Sequence, residues 1–177
     1  MKLKMVTYPN ELLRQKSEPV VKFDSELREL AQAMLDSLEG FRGVGLSAVQ
    51  IGRLIRLFVV DTRAPGERGV FINPQIVETA QDNVPYDEGC LSVPTFFAQV
   101  MRPSEVTVQA YDVNGKPFTL HAEGLYARAI QHEADHLDGK LFIDHMEEKD
   151  RKRLLKDYER AFGNSGRSGK KRNVSKR

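Results

Sequence analysis

The sequence predicts an α+β fold in which antiparallel β-sheets pack around a central helix, with one further helix on the N-terminal side and another on the C-terminal side. Three observations predict it. Strand-like segments follow one another in the middle of the chain, helical segments lie at its flanks, and an Asn-Gly turn signal at residues 114–115 joins two neighbouring strands. Strands and helices segregated along the chain are typical of α+β domains, whereas alternating strands and helices favour a parallel sheet.

The first helix is predicted over about four turns, beginning at Asp24 or Ser25 and stopping at Gly40. Asp and Ser are common N-caps, and glycine commonly ends helices. Apolar side chains recur at helical spacing and predict one buried face. These positions are Leu27, Leu30, Ala31, Met34, Leu35 and Leu38.

Strands are predicted over residues 55–61 and 70–73, with a turn at residues 64–66 between them. Residues 106–111 alternate apolar and polar side chains, as a half-buried strand does, and the chain returns through residues 118–122 after the Asn-Gly turn. Ahead of Cys90, the sequence has Asn83, Pro85 and Asp87, which we interpret as turn residues.

Two more helices are predicted after the strands. The first runs from about residue 124 to residue 138 and is ended by Gly139, and the second, highly charged, covers roughly residues 147–162. A chain of 177 residues fits one domain, and neither a repeat nor a linker divides it. We therefore expect a single domain over residues 1–163 and a separate tail over residues 164–177.

Composition excludes several classes of protein. The longest apolar run, residues 57–60, is far shorter than the roughly 20 residues that a membrane span requires. The N-terminus lacks the apolar core of a signal peptide, which favours a cytoplasmic protein without membrane association. The single cysteine, Cys90, cannot form an intramolecular disulfide, and this is typical of a reducing compartment.

The basic residues are concentrated at the C-terminus. Residues 164–177 contain six Lys or Arg and no Asp or Glu, while the preceding 163 residues are mildly acidic. The tail has no apolar cluster to bury and is predicted to be disordered. It is either a solubilising terminus or an arm that contacts the phosphates of RNA at the ribosome surface. The acidic body gives no reason to expect DNA binding, and we expect a monomer.

The most informative motif is His-Glu-Ala-Asp-His at residues 132–136. On a helix, residues four apart lie on one face, so the imidazoles of His132 and His136 can reach one metal ion. Glu133 can then act on the proton of a water molecule at the metal. The alternative is a chance pairing of two unrelated histidines.

Two histidines leave a catalytic metal with too few ligands, because such sites usually have three protein ligands. Cys90, in Glu-Gly-Cys-Leu-Ser at residues 88–92, is the favoured third ligand. A lone cysteine is more often a small buried hydrophobic residue, but the incomplete His pair favours ligation here.

A third segment, Gly-Val-Gly-Leu-Ser-Ala-Val-Gln at residues 43–50, contains two glycines and ends at Gln50. Taken alone, it is either a turn leading into regular structure or a tight segment that lines a site. In the second case the amide of Gln50 can donate to an oxyanion.

Together, in this order, the three segments resemble the three motifs of the peptide deformylases. The resemblance also covers residues 8–14 and the hairpin before the helix, and it spans most of residues 5–145. It implies an enzyme that removes the N-formyl group from the N-terminal formyl-methionine of newly made polypeptides and releases formate. It also implies the fold of that family, with antiparallel sheets around the His-Glu-x-x-His helix.

The resemblance implies a role for individual residues. One divalent metal ion would be bound by Cys90, His132 and His136, and Glu133 would be the general acid/base. Gln50 and the main-chain amide of Leu91 would hold the developing oxyanion. The peptide backbone would pair with Val44–Gly45 and Gly89, and the methionine pocket would be formed by Val44, Leu125, Arg128 and Ala129. The aliphatic stem of Arg128 is the part expected to line that pocket.

The donor set alone permits zinc, iron(II), cobalt or nickel. The resemblance implies Fe²⁺ in the cell, with Zn²⁺, Ni²⁺ or Co²⁺ in a purified preparation. The sequence also departs from the usual motifs. Ser47 stands where alanine is common and is expected to form a new hydrogen bond, while Phe96 and Phe97 replace an arginine found in some bacterial members. Arg102 and Asp135 are candidates for an ion pair beside the helix, against the alternative of two unrelated charges.

Two other functions remain open from the sequence. One is a general peptidase or amidase with the His-Glu-x-x-His motif, and the other is an RNA- or ribosome-binding module whose metal is purely structural. A small formyl pocket would distinguish the first, because it should reject an acetyl group. Loss of turnover in Glu133→Ala with the metal retained would distinguish the second.

Overall fold

The computed structural model describes residues 2–163, so the predicted tail lies outside the described residues. In chain order the elements are α1 (Ser25–Phe41), β1 (Gly45–Ser47), β2 (Leu57–Asp61), β3 (Arg68–Thr79), β4 (Asn83–Cys90), β5 (Val93–Pro103), β6 (Glu105–Tyr111), β7 (Pro117–Glu123), α2 (Gly124–Leu137) and α3 (Glu148–Phe162). Short 3₁₀ helices cover Glu11–Arg14, Ala48–Ile51 and Phe142–His145. The predicted α+β fold and its two flanking helices are confirmed.

Two antiparallel sheets form the β structure of the described residues. Five strands pair in the order β1-β2-β3-β6-β7, and β4 and β5 form a separate two-stranded hairpin. The pairing of β6 with β7 places Glu105 opposite Glu123 and Tyr111 opposite Pro117, which confirms the hairpin predicted from the Asn-Gly signal. Of the two turn residues, Gly115 has the left-handed backbone, with φ +80°.

The apolar run in β2 is buried on both faces, and this places the large sheet between two helices. Phe58 and Val60 belong to the apolar cluster formed with α2, whereas Leu57 and Val59 pack with α1. All four side chains are completely buried. Alternation along a strand sends successive side chains to opposite faces, so an uninterrupted apolar run is required here.

Helix α2 packs against β1, β2, β6 and β7, and it buries polar as well as apolar side chains. It begins at Gly124 and is followed by Gly139, both with positive φ, as the predicted end at Gly139 requires. Its buried polar residues are Arg128, Gln131, His132, Glu133 and His136. A helix that turns this many titratable groups inward must satisfy them inside the protein, because burial without partners is costly.

Helix α3 closes the molecule near the start of the chain. Its buried side chains, Leu154 and Tyr158, join a third apolar cluster with β5 and the segment after α2. The hydroxyl of Tyr158 donates to the main-chain oxygen of Tyr8 at 2.6 Å. Across residues 2–163, none of the helices combines the length and the apolar character needed to cross a membrane.

Three sequence predictions differ from the structure. Helix α1 does not stop at Gly40 but continues to Phe41, because Arg42 takes the left-handed conformation and its N–H, with that of Gly43, closes the last turn on Leu38 and Glu39. The residues interpreted as turn formers, Asn83, Pro85 and Asp87, lie in β4. Proline is tolerated there because β4 has only one neighbouring strand. Strand β3 is also longer than predicted, with 12 residues.

Candidate metal centre and active-site cleft

The three predicted metal ligands converge at one point. The sulfur of Cys90, at the end of β4, and one nitrogen each from His132 and His136 of α2 all lie within 4.8 Å of one another. The Cys90 Sγ and His136 Nε2 atoms are 3.4 Å apart. Ligands about 2.0–2.3 Å from a common ion lie at roughly such separations in a tetrahedral site. The donor set therefore fits a divalent transition metal, and it leaves a coordination position for water.

The surroundings of His132 and His136 shift the pKa values of the two histidines in opposite directions. Nδ1 of His132 lies 2.9 Å from Oε1 of Glu88, which leaves Nε2 for the metal. Burial opposes charge on His132, but its contacts with Cys90 and Glu88 raise its pKa well above the usual value. Burial, reinforced by the charge of His132, lowers the pKa of His136 and favours the neutral form that ligates metals.

Glu88 is the functional residue that the sequence interpretation missed. Its carboxylate is 3% exposed and, besides His132, accepts hydrogen bonds from Arg102 at 2.7 and 3.0 Å and from Arg128 at 2.8 Å. Burial alone would raise the pKa of this carboxyl, but the bonds from His132 and Arg102 lower it far below its ordinary value. The carboxylate therefore stays charged and orients His132, one of the three predicted metal ligands.

Arg102 extends this network to the far side of α2. It donates to Asp135 at 2.9 Å, and the same carboxylate oxygen of Asp135 lies 2.8 Å from Nε2 of His145. The ion pair of Arg102 with Asp135, a candidate from the sequence, is confirmed. It joins β5 to the helix that carries both histidine ligands, and so stabilises the orientation of that helix.

Glu133 lies on the cleft side of α2, beside the glycine-rich segment. It is 3% exposed, and Ser47 Oγ lies 2.7 Å from its Oε2 atom, which confirms the expected new hydrogen bond. Gly45 makes room for it: a Cβ atom at Gly45 would lie 2.8 Å from both Cγ and Oε1 of Glu133. Burial raises the pKa of Glu133, although His132 and the Ser47 hydroxyl act in the opposite direction. A carboxyl with a raised pKa accepts a proton more readily than an ordinary glutamate does.

Gln50 is held so that its amide nitrogen faces the metal ligands. Its Oε1 accepts from the main-chain N–H of Ser47 at 2.9 Å, which fixes the amide orientation. Its Nε2 lies 3.1 Å from Ser92 Oγ and 3.5 Å from Cys90 Sγ. The segment around Val6 joins both motifs, because its N–H donates to Gln50 O and its carbonyl accepts from Ser92 Oγ, each at 2.7 Å.

A cleft of about 430 Å³ opens beside the ligands. Eleven of the twelve site residues predicted from the sequence line it, and His136 lies beneath its floor. The eleven are Val44, Gly45, Gln50, Gly89, Cys90, Leu91, Leu125, Arg128, Ala129, His132 and Glu133. The structure therefore brings the three sequence motifs together around one concave, largely apolar surface, which is the usual form of a small-molecule or peptide site.

The chain is similar to known proteins over most of its length. The sequence profile described as polypeptide deformylase matches residues 2–152. Peptide deformylases from Brucella suis and Borreliella burgdorferi are 42% and 45% identical, covering 88% and 91% of this chain and 91% and 98% of their own lengths. A crystal structure of a peptide deformylase from Legionella pneumophila superimposes with a TM-score of 0.86 at 39% identity, covering 96% of this chain and all of that one.

The chain belongs to the polypeptide deformylase family. It is accordingly a hydrolase that removes the N-formyl group from new polypeptides, and this decides against the general peptidase and the RNA-binding module left open by the sequence. A metal ion belongs to the deformylase site, and the buried Cys90, His132 and His136 group is where this chain can hold it.

The charged group of Arg128 lies inside the protein, although arginine is usually found at the surface. Its guanidinium is buried, donates to Glu88 and to the main-chain oxygens of Val84 and Val100, and lies 5.5 Å from the ring centre of Tyr86. Its polar head therefore serves the ligand network. Only the rest of its side chain remains for the cleft.

Phe97 forms an aromatic rim over the cleft. Its ring lies against Gly89, where any side chain on residue 89 would collide with it, and it is 67% exposed. Phe96 instead turns toward α3, where its ring packs edge-on against Tyr158. Both phenylalanines line the cleft, but Phe96 also packs against α3, whereas Phe97 is the more exposed of the two.

Proposed function

We propose that Cys90, His132 and His136 hold the catalytic metal and that Glu133 moves the protons of deformylation. The observation that supports this most directly is the convergence of three soft and borderline ligands with a buried carboxylate at the mouth of a single cleft. When bound, the ion supplies Lewis-acid chemistry that makes water a nucleophile at neutral pH.

Glu133 acts first as a base and then as an acid. It takes one proton from the attacking water, whose oxygen forms a bond to the formyl carbon. It then delivers that proton to the methionine nitrogen as the carbon–nitrogen bond breaks, giving formate and a free amine. The raised pKa of Glu133 suits both steps, because a group that is too acidic would not return the proton.

Gln50 and the main-chain amide of Leu91 hold the charge that develops on the formyl oxygen. The Gln50 amide is fixed by Ser47 and needs only to release its long contact with Cys90 Sγ to donate to that oxygen. Leu91 directly follows the ligand cysteine, so its N–H originates beside the metal position. Removing one such donor commonly lowers kcat by about 100- to 1,000-fold.

The substrate peptide binds as an added strand between Val44–Gly45 and Gly89, all of which line the cleft. The methionine side chain occupies the apolar part of the cleft formed by Val44, Leu125 and Ala129, with the stem of Arg128. Phe97, which lies against Gly89, contacts the residues that follow methionine and favours apolar side chains there.

The metal in the cell is proposed to be Fe²⁺, as the resemblance to the deformylase family implies. Because the donor set accepts Fe²⁺, Zn²⁺, Ni²⁺ and Co²⁺, one of the other three is expected after purification. Metal analysis joined to an anaerobic assay tests this. Activity should decline during aerobic storage and be preserved by nickel substitution, whereas full, oxygen-stable activity with zinc contradicts the proposal.

Glu133→Ala tests the catalytic assignment. It should abolish hydrolysis of formyl-Met-Ala while the purified protein keeps its metal content. Acetyl-Met-Ala should be a poor substrate for the unaltered enzyme, because a formyl-sized site excludes the extra methyl group. Turnover by Glu133→Ala, or equal turnover of both peptides, would contradict the assignment.

We further propose that the enzyme is a cytoplasmic monomer made of one domain over residues 1–163, and that residues 164–177 contact the ribosome. The six basic residues of that tail and the nature of the substrate, a nascent chain, support this. Co-sedimentation with ribosomes should weaken when the tail is deleted or when salt is raised. Unchanged binding without the tail contradicts the contact.

A further inference from the structure

Ser47 contacts both residues to which we assign proton transfer and oxyanion binding. Its Oγ atom lies 2.7 Å from Oε2 of Glu133 and 2.9 Å from the main-chain oxygen of the same residue. Its main-chain N–H donates to Oε1 of Gln50 at 2.9 Å. Ser47 is completely buried in β1, so these contacts do not compete with solvent.

The backbone of β1 determines which way the hydroxyl points. Leu46 packs with the α1 cluster, and alternation along the strand turns its neighbours Gly45 and Ser47 toward α2 and Glu133. The hydroxyl has one proton to donate. Of the two oxygens, the carboxylate Oε2 is nearer and is the stronger acceptor, since hydrogen bonds to charged groups are shorter and stronger. The hydroxyl therefore donates to Oε2.

We propose that Ser47 is a positioning residue, whose hydroxyl holds the Glu133 carboxylate by one oxygen so that the other remains available to the attacking water. The proposal rests on the function assigned to Glu133 above. Oε1 of Glu133 lies beside Gly45, 2.8 Å from the position that a Cβ atom would occupy there, and Glu133 borders the cleft. Gly45 thus leaves the space and Ser47 supplies the anchor.

An anchor matters here because a glutamate side chain has three rotatable bonds. Without it, the carboxylate can turn within the space beside Gly45, and only some of its orientations suit proton transfer. Reacting groups must be about 3–3.5 Å apart and aligned, and small misplacements are costly to the rate. The effect should fall on the chemical step and leave peptide binding unchanged, because Ser47 itself lies outside the lining of the cleft.

Ser47→Ala is a clean test, because alanine is common at this position of the motif and the variant should fold. We expect kcat for formyl-Met-Ala to fall about 5- to 10-fold with KM and metal content unchanged, in line with the typical net contribution of one hydrogen bond. Ser17→Ala is the matched control. It removes a hydroxyl that is 2% exposed and has no partner within residues 2–163, and it should leave kcat unchanged.

A crystal structure of metal-loaded Ser47→Ala gives a readout that does not depend on turnover. It should show the Glu133 carboxylate in more than one orientation or rotated away from its position in the unaltered protein. A single unchanged orientation, an unchanged kcat, or an effect on KM alone would each overturn the proposal. Failure of the proposed function is distinguishable, since Glu133→Ala would then retain turnover whatever the carboxylate does in the Ser47 variant.

Discussion

Gly45 illustrates how one missing side chain shapes the site. A Cβ atom there would meet Glu133 Cγ and Oε1 at 2.8 Å, closer than such atoms approach in proteins, so the carboxylate would have to move. Gly45→Ala should therefore reduce kcat by about 100-fold, since a displacement near 1 Å can cost that much. Steady-state kinetics on formyl-Met-Ala measures the loss.

Gly40→Ala is the matched control for Gly45→Ala. Gly40 lies in α1, and a Cβ atom there would have no neighbour within 4 Å among the described residues. Alanine is the better helix former by about 1 kcal/mol, so this variant should keep its activity and gain stability. Equal activity of Gly45→Ala and the unaltered enzyme would mean that the carboxylate is not constrained from this side.

Thr95 carries backbone strain next to the cleft. It has φ +67° although its side chain is β-branched, and such residues rarely adopt the left-handed region. The left-handed conformation of Thr95 costs about 1–2 kcal/mol, and glycine would remove this cost. Glycine also destabilises the folded state by roughly 0.5–1 kcal/mol, because it gives the unfolded chain more conformational entropy. Thr95→Gly should therefore raise the free energy of unfolding by about 0.5–1 kcal/mol, or Tm by about 2 °C.

Thermal unfolding of Thr95→Gly should be compared with that of Thr79→Gly. Thr79 ends β3, is also exposed, and is not among the residues with positive φ. Glycine should therefore destabilise the protein at residue 79 and stabilise it at residue 95. Destabilisation of similar size at both sites would show that residue 95 is not strained.

At the scale of the element, the β4–β5 hairpin matters most. Its strand β4 carries both Cys90, a predicted metal ligand, and Glu88, the carboxylate that contacts His132. Glu88 turns into the protein, while Asp87 beside it is exposed. Glu88→Gln should lower metal affinity about 10- to 100-fold and destabilise the protein by about 3–5 kcal/mol, because Arg102 and Arg128 lose a buried charged partner.

Two measurements check this prediction. Metal competition titration gives the affinity, and thermal unfolding in the presence of excess metal gives the stability. Asp87→Asn removes the same charge one residue away on the solvent side and should change neither. If the two variants behave alike, Glu88 is not the residue that orients His132.

Helix α2 and the placement of its two histidines on one face were predictable from the sequence because every signal for them is local. His132 and His136 are one turn apart, apolar residues recur at helical spacing, and Gly139 marks the end. The hairpin was not predictable in the same way. Asn83, Pro85 and Asp87 are turn formers by type, and they accept the extended conformation only because β5 pairs with them and one edge of β4 remains open.

The role of Glu88 shows what sequence alone could not supply. It is 44 positions from His132 and 14 from Arg102, and no spacing rule relates residues that a fold brings together. The available signal was chemical: a metal-ligating histidine usually donates its second nitrogen to a carboxylate, and Glu88 is the acid next to the cysteine motif. Ser47, in contrast, was visible as a departure from the motif.

At the scale of the whole molecule, a segment near the start of the chain is tied to the segment that follows α2. Arg14 donates to both carboxylate oxygens of Asp144, at 2.6 and 3.1 Å, and to the main-chain oxygen of Gly139. Asp144 also accepts from the N–H of Leu141 at 2.9 Å. These contacts fix the segment that leaves α2 against the first helical turn of the chain.

This connection predicts a pH-dependent contribution to stability. Burial tends to raise the pKa of Asp144, but the hydrogen bond from Arg14 outweighs it, and the pKa is lowered in the folded state. The unfolded chain therefore binds the proton more readily, with a pKa near 3.9. The contribution is complete above that value and is lost as pH falls through the lowered pKa of the folded state.

Asp144→Asn keeps an oxygen for Leu141 but removes the charge that faces Arg14. Its Tm should lie about 2 °C below that of the unaltered protein at pH 7, as a partly exposed ion pair implies, and the difference should shrink as pH falls below about 4. Raising salt at pH 7 should also reduce the difference. Asp157→Asn, an exposed carboxylate on α3 outside the ion pairs described for residues 2–163, should show little difference at either pH. A Tm difference between Asp144→Asn and the unaltered protein that stays constant from pH 7 to pH 3 would contradict the prediction. The segments around Arg14 and Asp144 would then be held together by packing and not by this charge.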